Sequence, residues 1–572
     1  ATPNVLLIMT DDQGYGDLSI HGNPHLKTPH IDRLAQAGIR FDRFYVNSFC
    51  APTRAALLTG RYPLRCGVWG VTHNKECMRL SEVTLGEALQ ADGQQFPYTP
   101  PGQGFDEFFG FHNGHINNYF DPVLIRGSQP EPTRGYITDV LTDDALRFIE
   151  AHRDRPFFCY LAYNAPHSPY QVPDRYYDPA RESGFDESVS AFYGMCANID
   201  DNVGRLLDKL DQLKLAENTI VLFLTDNGGT AGVKVYNAGM RGGKTSVHEG
   251  GCRVPLFIRW PARFGKPQTI DTIISHIDLF PTLLNLCGTK VPDGLELDGQ
   301  DFTPLIGHAH EADRPRWKDR VLFTHNPISQ QNRYPGAVRT NRWRLVREIR
   351  GPQGGSSARP GDDNATPWQL YDMVSDPGEK HDVAAEHPQV VAQLSKQYEA
   401  WIDDTSREPL QRLAIPVGHD EENPVVLNAP QAFHEGSLHF HSGPGFAHDW
   451  LTACTDVSSK LWFEVDVVQP GRYAVELLYA CPARDSGAKL RVDAAGTTIR
   501  GKVATAEAPL IPLPHRDERG RGRYVNRDWG TLTLGKVDLD RGPQKIVIRA
   551  HPRPGERVMD FKALVLKRLP RK

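Results

Sequence analysis

Apolar runs alternate with helical patterns through the first 325 residues. The runs NVLLIM (4–9) and TIVLFL (219–224) have the length and β-branched content of buried strands, and 157–163 is a third run of this kind. Helical patterns lie between them, at 28–37, 81–91, 141–151 and 188–213. This alternation predicts an α/β fold in which a mostly parallel sheet is sandwiched between helices.

The pattern changes twice further along the chain. Short antiparallel strands at 336–346 and 368–372, followed by a helix near 388–402, predict a small α+β subdomain. Beyond about residue 410, short alternating strands without long helices predict an appended β-sandwich. We therefore expect three units, which are an α/β domain (1–325), the α+β subdomain (326–410) and the β-sandwich (411–572).

Composition narrows the class of protein. The formal net charge of −5 is small for 572 residues, so we expect no nucleic-acid partner, and no apolar run approaches the roughly 20 residues of a membrane span. The nine cysteines show no C-x-x-C spacing, which argues against a disulfide scaffold and a cysteine zinc site. Cys66 and Cys77 could pair, but we expect two free thiols. The start at Ala1 suggests a removed secretory signal, and hence a periplasmic or secreted protein.

Cys50 comes just before a short predicted helix. Pro52 suits its first turn, the run 55–58 (AALL) propagates it, and Gly60 ends it. The thiol then lies at the positive end of the helix dipole, with Arg54 one turn further on. This arrangement predicts an anion site that contains a nucleophile. The alternative is that Cys50 is a small buried apolar side chain.

Oxygen ligands follow two of the predicted strands. Asp11 and Asp12 come after the first strand, and Asp226 and Asn227 come after the strand at 219–224. Because ligands bind outside the carboxyl ends of parallel strands, we expect these four side chains to share one site. A donor set without sulfur suits Ca²⁺ or Mg²⁺ better than zinc. The alternative is that they are helix caps or solvated loop carboxylates.

His167 and Lys244 are further candidates. His167 follows the apolar run at 157–163 and so reaches the same sheet edge, where an imidazole can protonate a leaving-group oxygen. Lys244 follows two glycines, which let the backbone approach an anion that the ammonium group would bind. Taken alone, each is equally explained as an ordinary loop residue.

Five segments in the N-terminal 400 or so residues together resemble the type I sulfatases of the alkaline-phosphatase superfamily. In chain order they are TDDQGYGD (10–17), CAPTRAALLTGRYP (50–63), APHSPY (165–170), TDNGG (225–229) and GGKTSVHEGGCRVP (242–255). In that family the cysteine is oxidised after translation to formylglycine, whose hydrate attacks sulfur. The resemblance therefore implies an enzyme that hydrolyses sulfate esters.

The resemblance also assigns roles to the candidate residues. Cys50 is the formylglycine precursor, which a formylglycine-generating maturation enzyme converts, and Arg54 stabilises the product. Lys244 binds the sulfate, and His167 is the general acid. The metal, Ca²⁺ with Mg²⁺ as the alternative, is held by Asp11, Asp12, Asp226 and Asn227, with the group made from Cys50 beside it as a further ligand. Asp226 is in addition expected to accept a proton from the hydrate.

The sequence departs from the family pattern in one place. A Gly-Lys-Trp-His-like segment is expected after the helix at 81–91, but Gly93 is followed directly by Gln94. We expect that a loop is missing from the sequence here; the alternative is that other residues take its place. His112 and His115 could contact the sugar of the substrate, or be part of a polar loop near the site.

The expected substrate is a sulfated carbohydrate, because the appended β-sandwich resembles carbohydrate-binding modules in its general pattern. Four aromatic residues of that unit could stack on sugars, although we expect core packing for most of them: Trp450, Trp462, Tyr524 and Trp529. Two other functions stay open. One is a phosphonate monoester or phosphodiester hydrolase of the same superfamily, and the other is a catalytically silent glycan-binding protein.

Overall fold

A computed structural model describes most of the chain. The described residues are 2–89, 100–112, 114–308, 314–315, 317–326, 333–349, 365–443, 445–456, 458–516, 524–550 and 557–570. The junction of Gly93 and Gln94, where the sequence predicts a missing loop, lies outside these residues.

Helices and strands alternate in the first part of the chain, as the sequence predicts. The helices are α1 (Pro29–Gln36), α2 (Cys50–Thr59), α3 (Leu85–Leu89), α4 (Ile137–Ala151), α5 (Asp174–Glu182), α6 (Glu187–Gln212), α7 (Glu249–Cys252) and α8 (Leu279–Cys287). The strands are β1 (Asn4–Thr10), β2 (Ile39–Tyr45), β3 (Phe109–Gly110), β4 (Val123–Arg126), β5 (Gln129–Pro132), β6 (Phe158–Ala162), β7 (Thr219–Thr225), β8 (Arg253–Arg259), β9 (Gln268–Ile270) and β10 (Ile274–Ser275).

Seven of these strands form the central sheet, in the order β10-β2-β8-β7-β1-β6 with β9 beside β2. Strand β1 runs parallel to β6 and β7, and β2 runs parallel to β9 and β10. Only β8, among the strands of this sheet, is antiparallel to its neighbours, β2 and β7. The sheet is therefore mostly parallel, as predicted, with one reversed strand.

Helices cover both faces of this sheet. Every residue of β1 is buried, because successive side chains point to opposite faces and both faces are covered. Leu6 and Ile8 join an apolar core with side chains of α4 and α6, while Leu7 and Met9 join a second core with side chains of α8. In the part of the chain that the structure describes, we find no helix with the length and apolarity needed to cross a membrane.

A second, antiparallel sheet follows the central one. It consists of β11 (Leu322–His325), β12 (Gly336–Arg339), β13 (Trp343–Arg347) and β14 (Gln369–Asp372), in that order, and α9 (Pro388–Thr405) follows them. Tyr398 and Trp401 of α9 share a core with Val338 and Leu345 of this sheet. Tyr62, just beyond α2, joins the same core and lies edge-on to Trp401, with ring centroids 5.0 Å apart. This sheet is thus packed on the end of the helix that carries Cys50.

The last part of the chain folds into two packed sheets. Its strands are β15 (Ile415–Val417), β16 (Val425–Asn428), β17 (Phe433–Glu435), β18 (His439–Phe440), β19 (Leu451–Thr452), β20 (Lys460–Val467), β21 (Gly471–Ala480), β22 (Lys489–Ala494), β23 (Thr497–Lys502), β24 (Ile511–Pro512), β25 (Val525–Asn526), β26 (Gly530–Leu539), β27 (Gly542–Ala550) and β28 (Asp560–Arg568). One six-stranded sheet has the order β15-β20-β27-β22-β23, with β17 beside β20, and the other has the order β18-β19-β28-β21-β26, with β16 beside β28. The remaining two strands, β24 and β25, pair with each other. Phe463 and Val465 of the first sheet share one core with Val475 and Leu477 of the second, as in a β-sandwich.

Candidate active site

The carboxyl ends of three neighbouring strands meet at one edge of the central sheet. The N–H of Asp11, after β1, donates to the carbonyl of Ala165, after β6, at 3.1 Å. The N–H of Asp226, after β7, donates to the carbonyl of Thr10 at 3.2 Å. The N–H of Asp12 donates to Asp226 Oδ1 at 3.2 Å. These bonds fix the three loops against one another.

A backbone turn makes the adjacent carboxylates of Asp11 and Asp12 converge. In a regular strand their side chains would point to opposite faces. Asp12 has a φ of 69°, in the left-handed region, and this ends the strand. One oxygen from each of Asp11 and Asp12 and one nitrogen of His167 lie within 4.8 Å of one another.

Helix α2 brings Cys50 and Arg54 to the same place. Cys50 is its first residue, and Gly60 caps its end with a φ of 69°, as the sequence predicts. The Arg54 guanidinium donates to Asp226 Oδ2 at 2.7 and 3.0 Å and to Asp11 Oδ2 at 3.2 Å. The Cys50 sulfur lies within 4.8 Å of oxygens of both carboxylates. The predicted nucleophile therefore adjoins the acidic strand ends.

Lys244 reaches the site from the loop before α7. Its N–H donates to the carbonyl of Gly229 at 3.0 Å, and the N–H of Thr245 donates to the carbonyl of Ser48 at 3.0 Å. This loop is thereby held between the segment after β7 and the segment that leads into α2. The Lys244 ammonium lies 2.6 Å from Asp12 Oδ1. Its side chain is 17% exposed, so part of it faces solvent.

His167 faces the same carboxylate with one ring nitrogen. Its Nδ1 lies 2.5 Å from the carbonyl oxygen of Ser168. Because a carbonyl only accepts, Nδ1 carries the proton of this hydrogen bond. Nε2 then points inward, 3.7 Å from Asp12 Oδ2. The ring is thus oriented with Nε2 as the nitrogen that can exchange a proton at the site.

Burial and close charges shift the pKa values of these groups. Burial, followed by the charge of Asp11, raises the pKa of the Cys50 thiol to about 12, so the unmodified cysteine is protonated at neutral pH. Burial and the neighbouring carboxylate of Asp226 also raise the pKa of Asp11. Burial acts the same way on Asp12, but the charges of Lys244 and His167 and the hydrogen bonds from Lys244 and Asn227 together outweigh it and lower the pKa of that carboxyl. Burial, and then the charge of Lys244, lowers the pKa of His167.

The donor atoms of the site fit a hard divalent cation. Asp11 Oδ1 and Asn227 Oδ1 are buried and accept no hydrogen bond from the residues that the structure describes. Buried oxygens without a donor are unfavourable unless a cation or water satisfies them. Asn227 is oriented by its Nδ2, which donates to Asp12 Oδ1 at 2.8 Å. Carboxylate and amide oxygens are the ligands that Ca²⁺ and Mg²⁺ prefer.

The two remaining predicted residues differ in position. The His115 ring stacks on the His167 ring, with centroids 5.7 Å apart, so it lies next to the site. The His112 ring stacks instead on Phe108, with centroids 4.9 Å apart. His448 of the β-sandwich, which the sequence does not indicate, lies edge-on to His115 at 5.1 Å. A contact between residues so far apart in the chain leaves no local pattern.

Two family models match the chain. The model described as Sulfatase matches residues 3–289, which contain all eight side chains that meet at the sheet edge. The model described as N-sulphoglucosamine sulphohydrolase, C-terminal, matches residues 243–404. The chain belongs to the sulfatase family. Sulfatases are sulfuric ester hydrolases of the alkaline-phosphatase superfamily, and they generally use a formylglycine and a divalent metal ion.

Individual sulfatases agree with this assignment. Human arylsulfatase A is 30% identical over 69% of this chain and 86% of its own length. N-acetylgalactosamine-6-sulfatase of Rattus norvegicus is 31% identical over 55% of this chain and 67% of its own length. The crystal structure of Ps i-CgsB in complex with k-i-k-neocarrahexaose is similar with a TM-score of 0.62 and 28% identity, over 72% of this chain and 94% of the other.

Proposed function

We propose that this sulfatase hydrolyses sulfate esters of a sulfated carbohydrate at the site around Cys50. The observation that carries the proposal is the position of Cys50 at the start of α2, beside the cations Arg54 and Lys244 and the acidic strand ends. The names of the relatives support the substrate class, since one acts on a sulfated amino sugar and a similar structure holds a neocarrahexaose. The appended β-sandwich is consistent with a carbohydrate substrate.

We further propose that Cys50 is oxidised to formylglycine by a maturation enzyme. In its hydrated form this aldehyde would supply one hydroxyl to attack sulfur and a second hydroxyl whose loss of a proton would expel sulfate as the carbonyl re-forms. Asp226, whose Oδ2 accepts from Arg54 at 2.7 Å, is the base assigned to the attacking hydroxyl. A protonated cysteine in the same place would be a poor nucleophile.

Lys244, Arg54 and His167 have distinct roles in this proposal. Lys244 binds the sulfate and Arg54 stabilises the formylglycine. Both cations, together with the N–H groups at the start of α2, stabilise charge that moves toward the bridging oxygen. His167 donates a proton from Nε2 to that oxygen as the sulfur–oxygen bond breaks, and this transfer requires the doubly protonated imidazolium, since Nδ1 already carries the proton bonded to Ser168. Its Nδ1–H bond to Ser168 holds the ring in the orientation that this transfer needs.

The proposed metal is Ca²⁺, with Mg²⁺ as the alternative. Asp11, Asp12, Asp226 and Asn227 would hold it beside the group made from Cys50. A bound divalent cation supplies positive charge that polarises the sulfate and the attacking hydroxyl. The orphaned oxygens of Asp11 and Asn227 support this ligand set.

Paired substrates test the reaction class. We expect enzyme produced with a formylglycine-generating enzyme to cleave p-nitrophenyl sulfate at least about tenfold faster, by kcat/KM, than the matching phenylphosphonate or phosphate diester. A preference for the phosphonate or the diester would overturn the proposal in favour of the other hydrolase. Oligosaccharides of carrageenan, chondroitin sulfate and heparan sulfate, assayed for sulfate release, test the carbohydrate part separately.

The remaining assignments concern the whole chain. We propose the division into units at 1–325, 326–410 and 411–572, which is supported by the separate apolar core of the last unit. His112 stays a proposed sugar contact, as does His115 beside His167. We propose a periplasmic or secreted location, where sulfated polysaccharides occur, and a formylglycine-generating enzyme as the partner in maturation.

A further inference from the structure

The loop of the β-sandwich that carries Phe446 and His448 reaches the active site. His448 Nε2 lies within hydrogen-bond distance of the carbonyl oxygen of His115, and the two rings meet edge-on at 5.1 Å. The His115 ring also stacks on the His167 ring, with centroids 5.7 Å apart. The sandwich loop therefore lies one ring away from the residue that we assign as the general acid.

Phe446 is the exposed aromatic side chain of this loop. Its side chain is 41% exposed. Among the large hydrophobic side chains that are exposed in the described ranges, it is the aromatic one. The rings of Phe446 and His115 meet edge to face, at an angle of 82° and with centroids 5.9 Å apart. The His115 ring therefore contacts both His167 and Phe446. Phe446 exposes apolar surface beside the site.

Hydrogen bonds and close packing hold the residues beside Phe446 in this loop. The Lys562 ammonium donates to the carbonyl of His448 at 2.7 Å, and Asp449 Oδ2 accepts from the N–H of Ser442 at 3.1 Å. Gly445, just before Phe446, leaves no room for a side chain, since a Cβ there would lie 2.5 Å from Phe440 and 2.8 Å from His73 of the α/β domain. The backbone just before Phe446 is therefore packed closely against both the sandwich and the α/β domain.

We propose that Phe446 is a specificity-determining residue that binds a sugar ring of the substrate. The flat apolar face of a pyranose carries C–H groups of slightly positive charge, which pack favourably on the negative face of an aromatic ring. A ring held in place before binding loses little conformational freedom when the sugar docks. The inference rests on the proposed function, and it makes the β-sandwich a part of the active site.

The position of Phe446 limits which sugar it contacts. His115 separates it from His167, so the sugar that carries the cleaved sulfate occupies the space next to His167 and Lys244. Phe446 then contacts the neighbouring ring of an oligosaccharide. An aryl sulfate has no such second ring, and it provides a substrate that reports on chemistry without this contact.

The test compares Phe446→Ala with Val426→Ala on two kinds of substrate. Val426 is a matched control because it lies in the same sandwich and is 40% exposed. We expect Phe446→Ala to lower kcat/KM about tenfold on the best oligosaccharide of the carrageenan, chondroitin sulfate and heparan sulfate panel, mainly through KM. It should change kcat/KM on p-nitrophenyl sulfate less than about twofold, and Val426→Ala should change neither.

Phe446→Tyr keeps the aromatic face and guards against misfolding as an explanation. We expect it to retain most of the oligosaccharide activity that Phe446→Ala loses. Equal losses on both substrates, no loss on either, or a Phe446→Tyr variant as weak as Phe446→Ala would overturn the inference while leaving the sulfatase proposal intact. Wild-type enzyme that cleaves the aryl sulfate but no oligosaccharide would refute the carbohydrate proposal and this inference together. Failure on every sulfate ester would refute the sulfatase proposal itself.

Discussion

Asp12 organises the polar side chains of the site. It accepts a hydrogen bond from Asn227 at 2.8 Å, and its two oxygens lie 2.6 Å from the Lys244 ammonium and 3.7 Å from His167 Nε2. Because the ammonium of Lys244 lowers the pKa of Asp12 despite burial, this carboxyl stays ionised at neutral pH. The ionised Asp12 carboxylate thus positions Lys244, the proposed sulfate-binding residue. It also positions His167, the proposed acid, and Asn227, a proposed metal ligand.

Replacement of Lys244 by alanine tests the sulfate clamp. A preorganised donor that stabilises developing charge contributes roughly 10²–10³-fold to the rate, so we expect Lys244→Ala to lower kcat/KM on p-nitrophenyl sulfate by about that factor. Lys234→Ala is the matched control, since Lys234 is 45% exposed and its nearest acidic partner is 4.0 Å away. Equal activity of the two variants would show that Lys244 does not bind the sulfate.

Residue types at this site are predictable from the sequence because each follows a local pattern. Asp11 and Asp226 come directly after continuous apolar strands, and Cys50 begins a helix with a proline in its first turn and a glycine at its end. His448 and Phe446 carry no such pattern. His448 meets His115 across 333 positions of sequence, and no spacing in either segment encodes that meeting.

The loop after β7 packs closely against the residues of α7. The N–H of Gly228 donates to the carbonyl of Gly251 at 3.0 Å. A Cβ on Gly228 would lie only 1.9 Å from the carbonyl oxygen of Gly250, where no atom fits without a backbone shift. The position of Asp226 and Asn227 therefore depends on the absence of a side chain at Gly228.

Gly228→Ala should displace this loop. We expect a lower Tm and a loss of most sulfatase activity, because the backbone shift moves Asp226 away from Arg54. Gly265→Ala is the control, since a Cβ there meets nothing within 4 Å and should leave both properties unchanged. A Gly228→Ala enzyme with wild-type Tm and activity, measured by calorimetry and aryl sulfate turnover, would contradict this packing argument.

Cation binding should stabilise the same strand ends. If Ca²⁺ satisfies the orphaned oxygens of Asp11 and Asn227, adding it to chelator-treated enzyme raises Tm, by the equivalent of about 2–3 kcal/mol at a hundredfold excess over Kd. The Asn227→Ala variant, which lacks one of these oxygens, should show a smaller rise. An unchanged Tm in wild type, measured by differential scanning fluorimetry with and without Ca²⁺, would contradict the ligand set.

Elements differ in how well the sequence predicts them. β1 and β7 are recognised within a residue because each is a continuous apolar run that is buried on both faces. The reversed direction of β8 is not predicted, since an apolar run has the same pattern in either direction. Helix α5 is also missed, because it is strongly polar and contains Pro179.

The β-sandwich contacts the α/β domain at more than one place. His73 Nδ1 lies 2.6 Å from the carbonyl of Pro430, and the N–H of Arg516 donates to the carbonyl of Tyr170 at 2.9 Å. The Arg516 guanidinium also lies 4.2 Å from the centre of the Tyr177 ring and pairs with Asp174 at 2.7 Å. The segment that carries His167 is thus held by the sandwich as well as by the sheet.

Buried neutral histidines should make the whole fold sensitive to acid. Burial lowers the pKa of His448 to about 4 and those of His21 and His276 to about 3, against 6.5 in the unfolded chain. Between about pH 4 and 6.5 the unfolded chain binds more protons than the folded protein does. The free energy of unfolding is therefore highest above about pH 6.5 and decreases as the pH falls toward 4. Thermal melts across this range should show Tm decreasing with acidification.

His448→Gln isolates one contribution to this acid sensitivity. Glutamine can still donate to the His115 carbonyl but does not titrate, so we expect a shallower fall of Tm between about pH 6.5 and 4 than in wild type. His381→Gln serves as the control because that side chain is 80% exposed. Identical slopes for His448→Gln and wild type would mean that His448 is not held neutral by the fold.

In the proposed reaction, the group that attacks sulfur is made from Cys50. Intact-peptide mass spectrometry across residue 50, combined with aryl sulfate turnover by the same preparations, tests it most directly. We predict an aldehyde or its hydrate in place of the thiol when a formylglycine-generating enzyme is co-expressed, activity that rises in proportion to the converted fraction, and none in Cys50→Ala. Full activity in a preparation whose Cys50 is entirely unmodified would show that the reaction does not need an aldehyde made from Cys50.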